Sequence, residues 1–314
     1  MSVRASAAPE FKSTSERKPS SEDLLIVGPG VLGSVAGLKW LEAAPQGSTA
    51  LGQTNTETRH GKLREMGLAA RTREEAANST EKFPFVLFSA PPSGSADYVA
   101  EVQAALDLWD GTGSFLFTSS GSVFEAKEGK VTETSPTAPE GSRTPAQERL
   151  LRAEAAVLER GGNVLRLVGL YHAGRGAHTY FLKVGEVERW GGYTVNLIHY
   201  EDAASLAVAI LRGRGSEGYY RGSVFVGSDN HPITFDDMME ATRKCPQRYE
   251  GAKEVKFTAT EPGPGGPGKE VDSSATNEQL GWGPIYLSFQ TFMAAGGKDR
   301  YTDDLPIFVG APHA

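Results

Sequence analysis

The segment LLIVGPGVLGS, residues 24–34, leaves this chain few ways to fold. Four consecutive apolar residues read as a short strand buried on both faces. Glycines at 28, 30 and 33 end that strand and open a stretch with helical periodicity. A helix that starts hard against the end of a buried strand needs close backbone approach. Gly28 permits the tight turn, Gly33 lets helix and strand pack, and Gly30 keeps the mouth of the loop free of a side chain. The first turn of the helix, Val31 and Leu32 included, then offers unpaired N–H donors and a partial positive charge. Such a loop suits the diphosphate of a dinucleotide. A glycine-rich turn that holds no ligand is the alternative reading.

The rhythm continues beyond the loop. Strand-like runs at 49–53, 85–90, 114–118 and 163–170 alternate with helix-period segments at 58–67, 95–109 and 144–162. In TPAQERLLRAEAAVLERGG, Thr144 and Gln147 form a capping box, Pro145 suits the first turn and Gly161 can end the helix. Nearly continuous apolar strands alternating with helices predict an α/β fold, a doubly wound parallel sheet covered on both faces. The predicted organisation is a disordered tail over 1–22, a nucleotide-binding domain over 23–175, a smaller lobe over 176–294 with elements returning to the main domain, and a C-terminal tail over 295–314. The Pro/Gly-rich run at 262–268 reads as a surface loop.

Composition narrows the function classes. A formal net charge of −7, without a cluster of Lys and Arg at helical spacing, argues against nucleic acid as a partner. No apolar run approaches the roughly 18–20 residues that span a bilayer. The single cysteine, Cys245, cannot form an internal disulfide and fits a reducing compartment. The start of the chain, MSVRAS, is similar to the processing region of plastid transit peptides, which points to the chloroplast stroma; three acidic residues within 1–22 favour a plain solvated tail and a cytoplasmic protein instead.

Specificity for the dinucleotide is read at the end of the second strand. An Asp or Glu there, about 20 residues past the glycines, holds the ribose hydroxyls of NAD and repels a 2′-phosphate. This chain has Gln53, Thr54 and Asn55, followed by Arg59, His60 and Lys62. NADP is therefore expected over NAD, unless those basic residues only solvate the next helix.

Five segments in order resemble the extended and atypical short-chain dehydrogenase/reductases, the NAD-dependent epimerase/dehydratase superfamily. GPGVLGS is similar to its glycine loop, FLFTSSGSVF to its SS-x-x-VYG strand, VLRLVGLYHAGR to its LR-x-x-x-x-YG-x-GR stretch, VNLIHYEDAA to its IH-x-x-D-x-A, and NEQLGWGPIYLSF to its LGW-x-P ending. The resemblance spans about residues 23–294 and implies a Rossmann-type fold with a C-terminal substrate lobe. It further implies that Ser89, Ala90 and Pro91 flank the adenosine half of the cofactor, that Ser119 lies beside it, and that Gly169 and Leu170 adjoin the nicotinamide. Ser120 matches the serine that hydrogen-bonds the reacting carbonyl or alcohol. Relatives that pair through their two long helices imply a homodimer as one assembly.

One part of the resemblance fails. Chemistry in that superfamily rests on Tyr-x-x-x-Lys, where the ammonium lowers the phenol pKa and the phenol moves a proton. Counting back from Glu154, those positions fall on Ala146 and Leu150. Tyr249 and Lys253 have the spacing but flank Gly251 in the lobe. Arg149 and Arg152 stay charged and cannot serve as acids. Tyr171 and His172, with His199 behind them, are the remaining candidates for proton transfer, each with a structural alternative. No metal site is expected. Two functions follow: an NADP-dependent oxidoreductase or epimerase for a small carbonyl or alcohol, or a protein that holds NADP(H) as a sensor or scaffold without turnover.

Overall fold

The computed structural model describes residues 19–77 and 79–301. Leu24–Val27 form β1, whose side chains alternate between two cores as a doubly covered strand requires. Leu24 and Ile26 enter one apolar cluster and Leu25 the other. Around it stand β2 (Ala50–Thr54), β3 (Ala69–Thr72), β4 (Phe85–Phe88), β5 (Phe115–Ser120), β6 (Asn163–Leu167) and β7 (Val224–Gly227). The seven strands pair in parallel in the order β7-β6-β5-β4-β1-β2-β3. The order reverses at β1, so a crevice opens beyond the carboxyl ends of β1, β2 and β4.

The helices that cover the sheet follow from their sequences. One face carries α1 (Val31–Ala43), whose Gly33 and Gly37 allow contact with Ile26 and Leu68. The other carries α4 (Tyr98–Asp107), capped by Asp97, and α5 (Pro145–Glu159), whose Thr144–Gln147 capping box forms as expected. Two short helices, α2 (His60–Glu65) and α3 (Arg73–Ala77), flank β3. Strand β3 and helix α3 were not anticipated: Ala-Ala-Arg-Thr has neither an apolar run nor a clean alternation, and Arg71 is buried there only because Gln53 and Glu81 accept its N–H groups.

Past Tyr171 the chain crosses between sheet and lobe. Gly169–Tyr171 pair with Leu197–His199, α6 spans Ala177–Val184, and α7 spans Tyr200–Arg212. α7 starts at Tyr200, where the His199 imidazole accepts the Glu201 N–H and caps the helix. It packs on the same face as α1. The lobe has its own core, built from Tyr171, Phe181, Phe235, Met238, Phe289 and Phe292.

Both expected tails need correction at their inner ends. Glu22 pairs with Arg212 and accepts the Trp40 indole N–H through its carbonyl, which ties residues 19–22 to α1 and α7. At the other end Tyr301 is buried against α1 and Asp299 lies 3.3 Å from His199. Residues 1–18 and 302–314, and with them the transit-peptide expectation, lie outside the described residues.

Candidate functional site

The glycine loop is braced from below and open above. Gly28 has φ +81, and a Cβ built on it would stand 2.5 Å from the Ala90 backbone. A Cβ on Gly33 would meet the Ser89 hydroxyl at 2.6 Å and Ile26 at 2.9 Å. Both glycines are thus required by the fold. Ser89 donates to the Gly28 carbonyl at 2.8 Å and Ser34 to the Pro29 carbonyl at 3.1 Å, which fixes the turn.

Gly30 differs. Its φ of −74 is open to any residue, and nothing lies within 4 Å of a Cβ placed there. It occupies the N-cap position of α1, where Ser, Thr, Asp or Asn would stabilise the helix, yet no side chain caps it. The first helical bond runs from Ser34 N–H to the Gly30 carbonyl, so the N–H groups of Val31, Leu32 and Gly33 have no partner within the helix.

Above the loop lies a cavity of about 820 Å³. Of the residues singled out in the sequence, Gly28, Gly30, Thr54, Asn55, Arg59, Ser89, Ala90 and Pro91 line it. Val31, Leu32, Gly33, Ser119, Ser120, Gly169, Leu170, Tyr171 and His172 do not. Its far wall comes from α3 and α4, including Arg73 and Glu101. Thr54, at the carboxyl end of β2, is hydrogen-bonded: its hydroxyl lies 2.8 Å from the Thr56 carbonyl and 2.8 Å from His60 Nε2. A hydroxyl has one proton, so donation to the carbonyl makes the imidazole the donor in the second bond.

Ser120 ends β5, where its hydroxyl accepts the Ser122 N–H. Ser119 donates to Glu154 at 2.6 Å, and Glu154 forms a buried ion pair with Arg166 at 2.8 Å. On α5 the position expected for a proton-moving tyrosine, Ala146, is exposed, and the lysine position, Leu150, is part of the core.

The expected stand-ins are sealed in the lobe. Tyr171 has 0% exposure, rings of His199, Phe289 and Phe292 around it, and no partner for its hydroxyl among the described residues. Burial, reinforced by Asp229 and Asp202, pushes its pKa far above the ordinary phenol value. His172 has 3% exposure, accepts the Gly174 N–H, and burial lowers its pKa to about 4. His199 is held between the Glu201 N–H and Asp299. These placements give the side chains a packing role and offer no surface from which a proton could pass to a substrate. Among the described residues no cluster of three or more His, Cys, Asp or Glu could hold a metal ion, and no helix is long and apolar enough to cross a membrane.

Sequence reasoning missed Arg73, the cation on the far wall. It follows a strand that was itself not visible, and only the pairing of Thr54 with Thr72 brings it beside the end of β2.

No family model matches the sequence, and no curated protein matches it. Solved structures do. A UDP-glucuronic acid 4-epimerase from Bacillus cereus, in complex with UDP-glucuronic acid and NAD, superposes with a TM-score of 0.68 at 18% identity, over 90% of this chain and 99% of its own. The enzyme WbmG of Bordetella bronchiseptica, in complex with NAD and UDP, gives 0.65 at 19% identity, over 93% and 99%. A functionally unknown conserved protein from Silicibacter pomeroyi gives 0.66 at 21% identity, over 88% and 98%. The chain has the Rossmann-type fold of these solved structures, matched over most of its length.

Proposed function

We propose that this protein is an atypical short-chain dehydrogenase/reductase that binds a nicotinamide dinucleotide, NADP(H) in preference to NAD(H), across the carboxyl ends of β1, β2 and β4. One observation carries the reading. Gly28 and Gly33 are explained by the fold, but Gly30 is explained by neither backbone angle nor packing, at a helix start where a capping side chain would be more stable. Space kept for a diphosphate accounts for it. The residues present fit the group: free N–H donors on α1 for the diphosphate, and a cavity bounded by Thr54, Asn55 and Ala90 for the adenosine. The bound NAD of the similar solved structures supports the cofactor class. The neutral end of β2 and the nearby Arg59 support the 2′-phosphate form.

The cofactor, when bound, exchanges hydride with a carbonyl or alcohol. The chain's own contribution on this reading is orientation: Ser120, at the end of β5, hydrogen-bonds the reacting oxygen of a small carbonyl or alcohol substrate, and Gly169 and Leu170 flank the nicotinamide. A second reading, a cofactor-holding sensor or scaffold, is favoured by one observation: Leu150 sits in the core where a lysine would be needed.

Titration of the purified chain with NADPH and NADH, by calorimetry and thermal shift, tests the binding. Gly30→Glu should cost about 100-fold in NADPH affinity while the melting temperature without ligand stays put, since the side chain has room but its charge opposes the diphosphate. Equal affinity in the variant, or no binding by the wild type, overturns the proposal. Carbonyl reduction that Ser120→Ala abolishes selects the enzyme; binding without turnover selects the sensor.

A further inference from the structure

Arg73 stands one residue past the end of β3, and the parallel register of Thr54 with Thr72 sets it beside Asn55 on the carboxyl edge of the sheet. On the same wall of the cavity, Glu101 projects from α4. Arg73 Nη1 and Glu101 Oε1 are 3.3 Å apart, and both residues line the cavity, so this ion pair joins α3 to α4 along that wall. The side chains are 51% and 25% exposed, which keeps the pair in contact with water and holds it weakly. A phosphate dianion offers the guanidinium a stronger, two-pronged set of charge-assisted hydrogen bonds than one carboxylate oxygen does.

We infer that Arg73 is the specificity-determining residue of the cavity: its guanidinium takes the 2′-phosphate of the adenosine ribose, and Glu101 is the counter-ion displaced in the exchange. This rests on the cofactor reading above and adds to it the partner and the competition. Three features fit. Thr54 and Asn55 place no carboxylate at the end of β2 to repel the phosphate. The Thr54 hydroxyl is already hydrogen-bonded to Thr56 and His60, so it offers the ribose no competing anchor. Glu101 holds Arg73 at the cavity wall in the absence of ligand, so the cation is positioned before the phosphate arrives. Glu101 also sets a limit, because after the exchange it stays near the added negative charge. Selectivity is therefore tuned by both ends of the pair, and removing each end should have the opposite effect.

Binding of 2′,5′-ADP and of 5′-AMP, measured by calorimetry at two salt concentrations, isolates this half of the site from the nicotinamide. In the wild type 2′,5′-ADP should bind at least tenfold more tightly, with the advantage shrinking at high salt. Arg73→Gln should lose about tenfold for 2′,5′-ADP and less than twofold for 5′-AMP. Glu101→Gln should gain two- to fivefold for 2′,5′-ADP alone. Melting curves without ligand should be unchanged in both variants, as the pair is exposed. If Arg73→Gln leaves the preference between the two nucleotides intact, or Glu101→Gln weakens 2′,5′-ADP, the assignment of Arg73 fails while the cofactor reading stands. If neither nucleotide, nor NADPH nor NADH, binds the wild type, both fail together.

Discussion

The cavity above the glycine loop and the core of the lobe invert the usual division between backbone and side chain. At the loop, polar backbone faces open space and the side chains retreat: Gly30 has none, and Gly28 and Gly33 admit none. In the lobe, side chains able to move protons are shut away from solvent. Tyr171, His172 and Asp229 are all buried, and both the Tyr171 hydroxyl and Asp229 Oδ2 lack a partner among the described residues. The contrast teaches that residue type alone misplaces chemistry. A tyrosine and a histidine at the end of a buried strand look catalytic by residue type. Here the glycines shape the cavity and the aromatic residues hold the lobe together.

Four substitutions probe that inversion. Gly28→Ala should cost about 4 kcal/mol, from positive φ together with a clash against the Ala90 backbone, read as a lower denaturation midpoint. Gly30→Ala, one turn of the loop away, should change stability by less than about 0.5 kcal/mol. A similar loss at both positions would erase the distinction between a glycine the fold requires and one it does not.

Asp229→Asn tests the lobe. Burial raises the Asp229 pKa to about 7, aided by Asp202, although its Oδ1 accepts the His231 N–H. The unfolded carboxyl titrates near 4. The folded value is the higher one, so the stabilising contribution is complete below about pH 4. It declines as pH rises toward about 7 and is constant above that. The amide keeps an oxygen for His231 and cannot ionise. Relative to wild type, the variant should gain on the order of 3 kcal/mol between pH 4 and pH 7. Urea unfolding across that range would show it; a difference that does not vary with pH would mean that Asp229 is charged or solvated in the folded lobe.

Tyr171→Phe should have a small effect. Removing a buried hydroxyl without a partner leaves stability unchanged or raises it by up to about 1 kcal/mol, and cofactor binding should not move. A large loss in either would show that the hydroxyl has a role beyond packing.

Much of the architecture was legible. LLIV, FVLF and FLFT read as strands because a doubly covered parallel sheet demands unbroken apolar runs. The start of α5 was readable because a capping box is local, closing between Thr144 and Gln147. β3 was not legible, since Arg71 becomes an interior residue only when Gln53 and Glu81 arrive from elsewhere in the chain. Arg73 was lost with it. Half of the cavity was therefore visible in advance, the half that follows directly from β1, β2 and β4, and the wall made by α3 and α4 was not.

The sequence alone determined the loop: which glycines stand where, and that a strand must run into a helix there, because turn geometry and helix starts depend on neighbours a few residues apart. Only the tertiary structure decided which of those glycines the fold itself requires, that Arg73 pairs with Glu101 on a cavity wall, and that Tyr171 and His172 lie inside the lobe. Burial and ion pairing depend on contacts between residues far apart in the chain, and no local pattern specifies them.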